Sequence, residues 1–239
     1  MIEIVFFDVG ETLLHAHPSF PELFASTCVE HGYRVTPDDV HRVQARLAPR
    51  LSDIAEEELD TGDRPYEGSS FSSKESEIFW TALYRRFLRE LGIADEDMAA
   101  ALFRVFSSAS SYALFDDVHG VLDELEAGGH RLGVISNFED WLEEMLVDLE
   151  VSHRFDVRVI SGVVGVEKPD PQIYRLALDR AGVAPEKALH VGDSPEMDVV
   201  PASSVGMNVV LLDRLGRYSQ ADWPTISSLG ELPALLATM

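Results

Sequence analysis

Basic residues are scarce in this chain, and their scarcity limits what it can bind. Lys and Arg together number 19 against 42 Asp and Glu, so the 239 residues carry a formal net charge of −23. A surface this acidic repels phosphate backbones and anionic lipids, so we expect no nucleic-acid partner and no membrane partner. An anionic small molecule can still bind where cations or main-chain amides are concentrated.

Two further absences narrow the class of protein. The single cysteine, Cys28, excludes an internal disulfide and is typical of a reducing compartment. The chain begins on an apolar strand pattern with no basic segment before it, and no apolar run approaches the ~20 residues that span a bilayer. We therefore expect a cytoplasmic protein. The sequence does not distinguish a monomer from a homodimer.

The order of the hydrophobic patterns predicts an α/β fold with an insert. Residues 2–7 form an apolar run typical of a buried strand, and from about residue 113 strand and helix patterns alternate with short, glycine-containing connections. This alternation predicts a doubly wound, Rossmann-like parallel sheet built from residues 1–16 and 113–239. Residues 17–112 show helical patterns only and predict an inserted all-helical domain.

Within the insert, one helix has a clear apolar face. Phe79, Leu83, Phe87 and Leu91 recur at a spacing of four residues, which favours a packed core over an exposed aromatic surface. An earlier helical pattern is expected to kink at Pro49, and residues 61–73, rich in Gly, Pro and Ser, predict a loop.

Polar side chains follow several predicted strands of the core. In a parallel α/β sheet the ligand site lies at the carboxyl ends of the strands. The candidates there, in chain order, are Asp8, Ser136, Asn137, Lys168, Asp193 and Asp198.

Asp193 and Asp198 flank a predicted strand-to-helix turn. Two carboxylates there can hold a hard divalent cation such as Mg²⁺, which prefers oxygen ligands. The alternative is structural: Asp193 or Ser194 caps the following helix, with Pro195 at its first position.

The other candidates each allow a similar pair of interpretations. Ser136 and Asn137 can bind an anion together with free helix amides, or they can cap a helix. Lys168 can neutralise a phosphoryl group and a buried carboxylate, or it can be a solvated loop residue. Asp8 can act as a covalent nucleophile beside a metal, or it can organise its own turn.

Taken together, these residues resemble the motifs of the haloacid dehalogenase-like superfamily of hydrolases. That family carries DxDxT, then a Ser or Thr after a strand, then a Lys, then GDxxxxD. The corresponding stretches here are DVGET at 8–12, SN at 136–137, KP at 168–169 and GDSPEMD at 192–198. The resemblance covers the whole chain, because the insert at 17–112 falls where the family carries its helical cap domain.

The resemblance also implies a role for each residue. Asp8 would attack the substrate and form an aspartyl intermediate. Ser136 and nearby amides, with Asn137, would hold the transferred group, and Lys168 would balance its charge. The implied Mg²⁺ ligands are the Asp8 carboxylate, the main-chain carbonyl of Gly10, Asp193, and Asp198 through water.

Gly10 departs from the family pattern, in which phosphatases carry a second Asp that serves as general acid and base. A glycine keeps the main-chain carbonyl but removes the proton donor, a contribution worth roughly 10²–10⁴ in rate. Glu11, His15 and His17 are nearby in sequence and are the candidate replacements. Efficient hydrolysis of alkyl phosphates is therefore in question.

Three functions are compatible with these residues. The favoured one is a Mg²⁺-dependent phosphatase acting on a small phosphorylated metabolite. A 2-haloacid dehalogenase is the second, since family dehalogenases also lack the second Asp, but they need neither the metal nor an acidic pair such as Asp193 and Asp198. The third is a weakly active or non-catalytic protein that binds Mg²⁺ and a phosphorylated ligand.

Overall fold

The structure, a computed structural model, describes residues 1–47, 73–218 and 222–239. The chain divides into two compact units: Met1–Leu14 with Leu114–Met239, here the core unit, and His15–Ala113, here the helical unit. The expected kink at Pro49 and residues 61–72 of the expected loop lie outside the described residues. Ser73, assigned to that loop from the sequence, instead begins a helix.

A six-stranded sheet forms the centre of the core unit, and every strand pair in it is parallel. Its strands are β1 (Ile4–Phe7), β4 (Arg131–Ser136), β5 (Val157–Ile160), β6 (Ala188–Gly192), β7 (Asn208–Leu212) and β8 (Thr225–Ile226), arranged in the order β5-β4-β1-β6-β7-β8. The chain therefore builds outward from β1 in one direction through β4 and β5, and in the other through β6, β7 and β8. This order confirms the predicted doubly wound, Rossmann-like sheet.

The central strand β1 is buried on both faces. Ile4 and Phe6 belong to one apolar cluster together with Ile173 of a helix that packs on the sheet. Val5 and Phe7 point to the opposite face, because side chains alternate along a strand, and they are equally inaccessible to water. Burial of both faces explains why residues 4–7 form an uninterrupted apolar run.

The helices expected of such a fold lie between the strands and after the last one. They are α5 (Val118–Ala127), α6 (Leu142–Asp148), α7 (Ser161–Val164), α8 (Pro171–Ala181), α9 (Val200–Ser204) and α10 (Leu232–Leu236). The first of these packs on β4 and α8 packs on β5. Asp170 caps α8 and Gly182 ends it in a left-handed conformation, so both ends of this helix are set by local sequence.

Three details differ from the sequence prediction. A separate two-stranded sheet pairs β2 (Leu14–Ala16) with β3 (Tyr112–Leu114). Neither strand was predicted, and only Tyr112 of β3 falls within residues 17–112, where no strand was expected. The two-residue strand β8 was also missed. These strands have only two or three residues, which is too few to show an alternating pattern. In addition, β2 and β3 lie far apart in the sequence, so no local pattern indicates that they pair.

The third difference is the helix predicted at residues 195–206. The chain forms a π-helical turn at Pro195–Val199 and then α9. In an α-helix the carbonyl of Met197 would accept the N–H of residue 201, but Pro201 has none. The hydroxyl of Tyr174 donates to that carbonyl instead. The proline thus leaves an acceptor that another helix satisfies.

The helical unit contains α1 (Phe20–Glu30), α2 (Pro37–Leu47), α3 (Ser73–Glu90) and α4 (Glu96–Phe106). Its apolar core includes Leu83 and Phe87, with Phe79 and Leu91 packed against it at partial exposure. The expectation that this stripe is packed core is confirmed.

Candidate active site

The candidate site lies where β1 and β6 end side by side. The two strands are paired in register from Ile4 with Ala188 to Phe7 with Val191. This is the topological switch point of the sheet, because β4 and β5 lie on one side of β1 and β6, β7 and β8 lie on the other. Asp8 is the first residue after β1, and its N–H donates to the carbonyl of Val191 over 2.9 Å. This pairing places the residues that follow β1 next to those that follow β6, at the usual ligand position of a doubly wound sheet.

Lys168 connects two of the carboxylates at this point. Its Nζ lies 2.6 Å from Asp8 Oδ1 and 2.7 Å from Asp198 Oδ1. The lysine is 4% exposed, which excludes the interpretation of a solvated loop residue. Asp8 is itself 6% exposed and faces this ammonium group, so it does more than organise its own turn.

Asn137 holds the main chain of Lys168. Its side-chain Nδ2 donates to the Lys168 carbonyl over 2.8 Å, and the Lys168 N–H donates to Asn137 Oδ1 over 2.7 Å. This reciprocal pair joins the end of β4 to the loop before α8. Both ends of the Asn137 amide are thereby engaged with main chain, so the side chain positions Lys168.

Asp198 is held by three donors. Its Oδ1 accepts from Lys168 Nζ and, over 3.0 Å, from His190 Nε2, while its Oδ2 accepts from the N–H of Ser194 over 3.1 Å. A side chain at Gly192 is impossible here, because a Cβ would lie 2.2 Å from Asp198 Cγ. The glycine that precedes Asp193 therefore makes room for this carboxylate.

Asp193 does not cap the helix that follows it. Ser194 does so, since its Oγ accepts from the N–H of Met197 over 3.2 Å, and Pro195 occupies the first position of the turn. The structural alternative raised for this pair from the sequence thus applies to Ser194. The Asp193 carboxylate is left to face Asp8 and Asp198.

The three carboxylates form a compact group. Oxygens of Asp8, Asp193 and Asp198 all lie within 4.8 Å of one another. An all-oxygen donor set with this negative charge fits a hard divalent cation such as Mg²⁺. Asp198 has both oxygens engaged by protein donors, whereas the ammonium group that pairs with Asp8 contacts its Oδ1.

Burial and mutual repulsion perturb these groups. Burial, followed by the negative charges of Asp8 and Asp198, raises the pKa of Asp193 to about 7. Burial also raises the pKa of Asp8, and Lys168 offsets only part of that rise. For Asp198 burial acts in the same direction, but Lys168 and His190 outweigh it, and the pKa falls below its ordinary value. A surplus of negative charge therefore remains for a cation to balance.

Two buried hydroxyl groups next to these strands have no hydrogen-bond partner within the described part of the chain. They are Ser136 Oγ, at the end of β4, and Thr12 Oγ1, in the turn after β1. Ser136 is 1% exposed and Thr12 is fully buried. Ser136 does not cap the next helix, because α6 begins at Leu142 after Trp141. A buried, unpaired hydroxyl is costly, and a polar ligand would satisfy it.

Gly10 leaves open space where the family's second Asp would project. A Cβ built there meets no atom within 4 Å, and the backbone is not in the left-handed region. Of the candidate replacement acids, Glu11 is exposed and has φ of 56°. His15 and His17 belong to the helical unit, where the centroids of their rings are 6.1 Å apart. That one of these three residues replaces the missing acid stays a prediction.

Two residues near these carboxylates were not singled out from the sequence. His190 lies on β6 and is 1% exposed, and Arg217 follows β7 with Nη2 3.5 Å from Asp193 Oδ2. His190 could have been noticed as a polar residue inside an apolar strand. Arg217 has no motif, and only the fold brings it beside Asp193.

None of the helices in the described ranges is both long enough and apolar enough to span a membrane.

Comparison with known proteins identifies relatives along most of the chain. A family model described as "Hydrolase: haloacid dehalogenase-like hydrolase" matches residues 2–206. The haloacid dehalogenase-like hydrolase domain-containing protein 3 of Danio rerio is 31% identical over 240 aligned positions, which cover 97% of this chain and 95% of that protein. A glyceraldehyde 3-phosphate phosphatase of Methanopyrus kandleri is 31% identical over 229 positions, covering 93% of this chain and 88% of that protein.

Among solved structures, a 2-haloacid dehalogenase from Pseudomonas syringae aligns with a TM-score of 0.62 and 26% identity. The alignment covers 100% of this chain and 99% of that one. A phosphatase and a dehalogenase, the two reactions considered from the sequence, are thus both represented among the similar proteins.

Proposed function

Because this chain belongs to the haloacid dehalogenase-like hydrolase family, we propose that it is a Mg²⁺-dependent phosphatase acting on a small phosphorylated metabolite through Asp8. The observation that carries the proposal is the buried group at the end of β1 and β6. Lys168 Nζ contacts Asp8 Oδ1 over 2.6 Å, and the oxygens of Asp193 and Asp198 lie within 4.8 Å of Asp8. The groups that would serve as nucleophile, counter-charge and metal ligands thus lie close together, which supports the proposal.

The first step would be attack of an Asp8 carboxylate oxygen on the phosphorus of the substrate. A P–O bond to Asp8 forms, the P–O bond to the leaving group breaks, and the leaving group departs with the electron pair of that bond. Asp8 attacks only when ionised, and the Lys168 ammonium stabilises that form. Ser136 Oγ, which is buried without a described partner, would donate to a phosphoryl oxygen.

Charge balance is the reason for including a metal. Three carboxylates face one buried ammonium group, and a phosphate ester would add further negative charge. Bound Mg²⁺ would supply the missing positive charge and orient the phosphate toward Asp8. Asp8, Asp193 and the Gly10 carbonyl would bind it directly. Asp198, whose oxygens already accept from protein donors, would act through water.

The second step would restore the enzyme. Water attacks the aspartyl phosphate, inorganic phosphate leaves, and Asp8 is again a free carboxylate. The first step needs no acid when the leaving group is already a weak base, as with aryl and acyl phosphates. With glycine at position 10, we expect such substrates to react much faster than alkyl phosphates.

One observation favours a second candidate. The Pseudomonas syringae relative is a 2-haloacid dehalogenase, and a carboxylate nucleophile without a nearby acid also suits displacement of halide from carbon. In that case Asp8 would displace halide and form a carboxylic ester, and the metal would be unnecessary. The retained pair Asp193 and Asp198 supports the phosphatase instead.

The test is phosphate release from aryl, acyl and alkyl phosphates, measured with Mg²⁺ and with EDTA. We expect Mg²⁺-dependent turnover that Asp8→Asn lowers by at least about 10⁴-fold, the scale seen when a covalent nucleophile is lost. Asp179→Asn, an exposed carboxylate on α8, is the matched control and should leave turnover unchanged. Absence of phosphate release, or chelator-resistant halide release from 2-haloacids, would overturn the proposal.

A second experiment tests the interpretation of Gly10. A Cβ at this position meets no atom within 4 Å, so Gly10→Asp can be accommodated. We expect it to raise kcat/KM for alkyl phosphates by about 10²-fold and to change kcat/KM for aryl phosphates little, because this ratio reports the first step, in which only the poorer leaving group needs a proton. Gly10→Asn, which has similar size but no proton to transfer, is the control. Equal gains from both variants would contradict the acid interpretation.

A further inference from the structure

The loop after β7 is built around a buried carboxylate. Asp213 is 6% exposed, and its two oxygens accept from the N–H groups of Arg217 and Tyr218, each over 2.8 Å. Burial would raise the pKa of Asp213, but the main-chain donors of Tyr218 and Arg217 lower it below its ordinary value. The main chain at Arg217 is therefore anchored, and its side chain extends toward Asp193.

The Arg217 guanidinium lies at the edge of the candidate site. Its Nη2 is 3.5 Å from Asp193 Oδ2, and its Cζ is 5.6 Å from the centre of the Tyr218 ring. The side chain is 49% exposed, in contrast to Lys168 at 4%. Within the described residues, these are the two Lys or Arg side chains that pair with the three carboxylates. Lys168 already binds two of them, so Arg217 is the cation with surface left for a ligand.

The simplest role for Arg217 is to offset the charge of Asp193. That role would be temporary, because a cation bound by Asp193 would compete for the same carboxylate and repel the guanidinium. The contact is also long for a hydrogen bond, and half of the side chain is open to solvent. On a protein with net charge −23, such a group strongly affects which anions can approach.

We propose that Arg217 determines substrate specificity by binding a carboxylate of the substrate, so that the enzyme prefers phosphate esters that also carry a carboxylate. This inference rests on the proposed phosphatase function. A planar guanidinium can bind a carboxylate through two parallel hydrogen bonds. A single arginine balances one negative charge, which favours a carboxylate over a second phosphate as the additional group.

The test uses two esters of nearly equal shape, 3-carboxyphenyl phosphate and its neutral amide, 3-carbamoylphenyl phosphate. We expect the wild-type protein to favour the carboxylate by about fivefold to tenfold in kcat/KM, mainly through KM, as suits a partly exposed charged pair. In Arg217→Gln the ratio should fall to about one, and Arg217→Lys should keep part of it. Arg175→Gln removes an exposed arginine from α8 and should keep the full ratio.

A binding experiment separates this inference from the proposed function. The corresponding benzylphosphonates cannot be hydrolysed, and their Kd values can be measured by calorimetry in the presence of Mg²⁺. Tighter binding of the carboxylate that is lost in Arg217→Gln supports the role of Arg217, whether or not any ester is turned over. Equal Kd values, no binding of either compound, or an unchanged preference in Arg217→Gln would overturn it. Failure of phosphate release alone would overturn only the phosphatase function.

Discussion

The two units of this protein bury different kinds of residue. In the described part of the helical unit, the buried polar residues are the small hydroxyl residues Thr27, Ser76 and Ser111. The core unit instead buries the ammonium group of Lys168 and four carboxylates, those of Asp8, Glu139, Asp198 and Asp213. Taking charges out of water costs several kcal/mol per ion, and pairing restores this only in part. The core unit thus carries an arrangement that stability alone does not explain.

Within the described residues of the helical unit, the buried side chains include aromatic rings but no charged groups. Phe24 is inaccessible to water and contacts three other aromatic rings, those of Phe20, Tyr84 and Phe87, with centroids 5.8, 6.3 and 5.8 Å away. Such contacts satisfy the hydrophobic effect without a desolvation cost. The contrast indicates that the buried aromatic rings of the helical unit serve stability, whereas the charges buried together around Lys168 serve chemistry. Three experiments test that division.

The largest expected effect is on the helical unit. Phe24→Ala should lower the free energy of unfolding by about 3–5 kcal/mol, because it removes a fully buried ring and leaves a cavity. Urea denaturation followed by circular dichroism measures the change. Val29→Ala on the same helix is the control, since Val29 is 56% exposed and should change stability little. A loss below about 1 kcal/mol for Phe24→Ala would contradict the assignment of this core.

The second effect concerns His190, the buried donor to Asp198. His190→Leu should lower kcat/KM by roughly 10- to 100-fold, because a hydrogen bond to a charged group is worth about 1.5–3 kcal/mol. His190→Gln keeps an N–H donor at a comparable distance from the main chain and should recover most of the activity. The Kd of Mg²⁺, measured by calorimetry, should follow the same order. If Leu and Gln at this position behave alike, His190 only fills space.

The smallest effect concerns Asp193. Burial and the neighbouring carboxylates raise the pKa of this residue to about 7. Between pH 4 and pH 7 the unfolded chain releases the proton of this group while the folded protein keeps it. The free energy of unfolding of the metal-free protein should therefore fall as pH rises through this window. Because 23% of the Asp193 side chain is exposed, we expect the free energy of unfolding to fall by less than the full pKa shift would imply, by about 1–2 kcal/mol.

Asp193→Asn removes this pH dependence, and in EDTA it should be more stable than the wild type at pH 8 and equal to it at pH 4. Thermal denaturation at several pH values gives the comparison. Asp179→Asn, which changes an exposed carboxylate, should follow the wild type at every pH. A destabilised Asp193→Asn protein at pH 8 would mean that this carboxylate is stabilising, and that the contrast between the two units is overstated.

Much of the fold could be read from the sequence because its signals are local. The apolar run before Asp8 and the alternation after residue 113 identify the sheet and its parallel strands. The strands β2, β3 and β8 could not be found in this way, since two or three residues show no period. The π-helical turn was missed because it depends on Pro201 and on Tyr174, which belongs to a different helix.

The candidate site was predictable in part for the same reason. Asp8, Ser136, Lys168, Asp193 and Asp198 follow strands, and parallel strands end at a common edge, so their proximity follows from topology. The orientations of these side chains do not follow from the topology. Nothing local indicates that the Asn137 amide binds the main chain of Lys168, or that His190 reaches Asp198.

By itself, the sequence determined the family, the parallel sheet, and which carboxylates and which lysine stand at its edge, because strand periodicity and motif spacing are properties of neighbouring residues. Tertiary structure alone decided which groups are deprived of water, which donors hold Asp198, and that Arg217 lies beside Asp193. Burial and electrostatics depend on residues brought together from distant parts of the chain. The burial and the neighbouring carboxylates that raise the pKa of Asp193 therefore act only once the chain is folded.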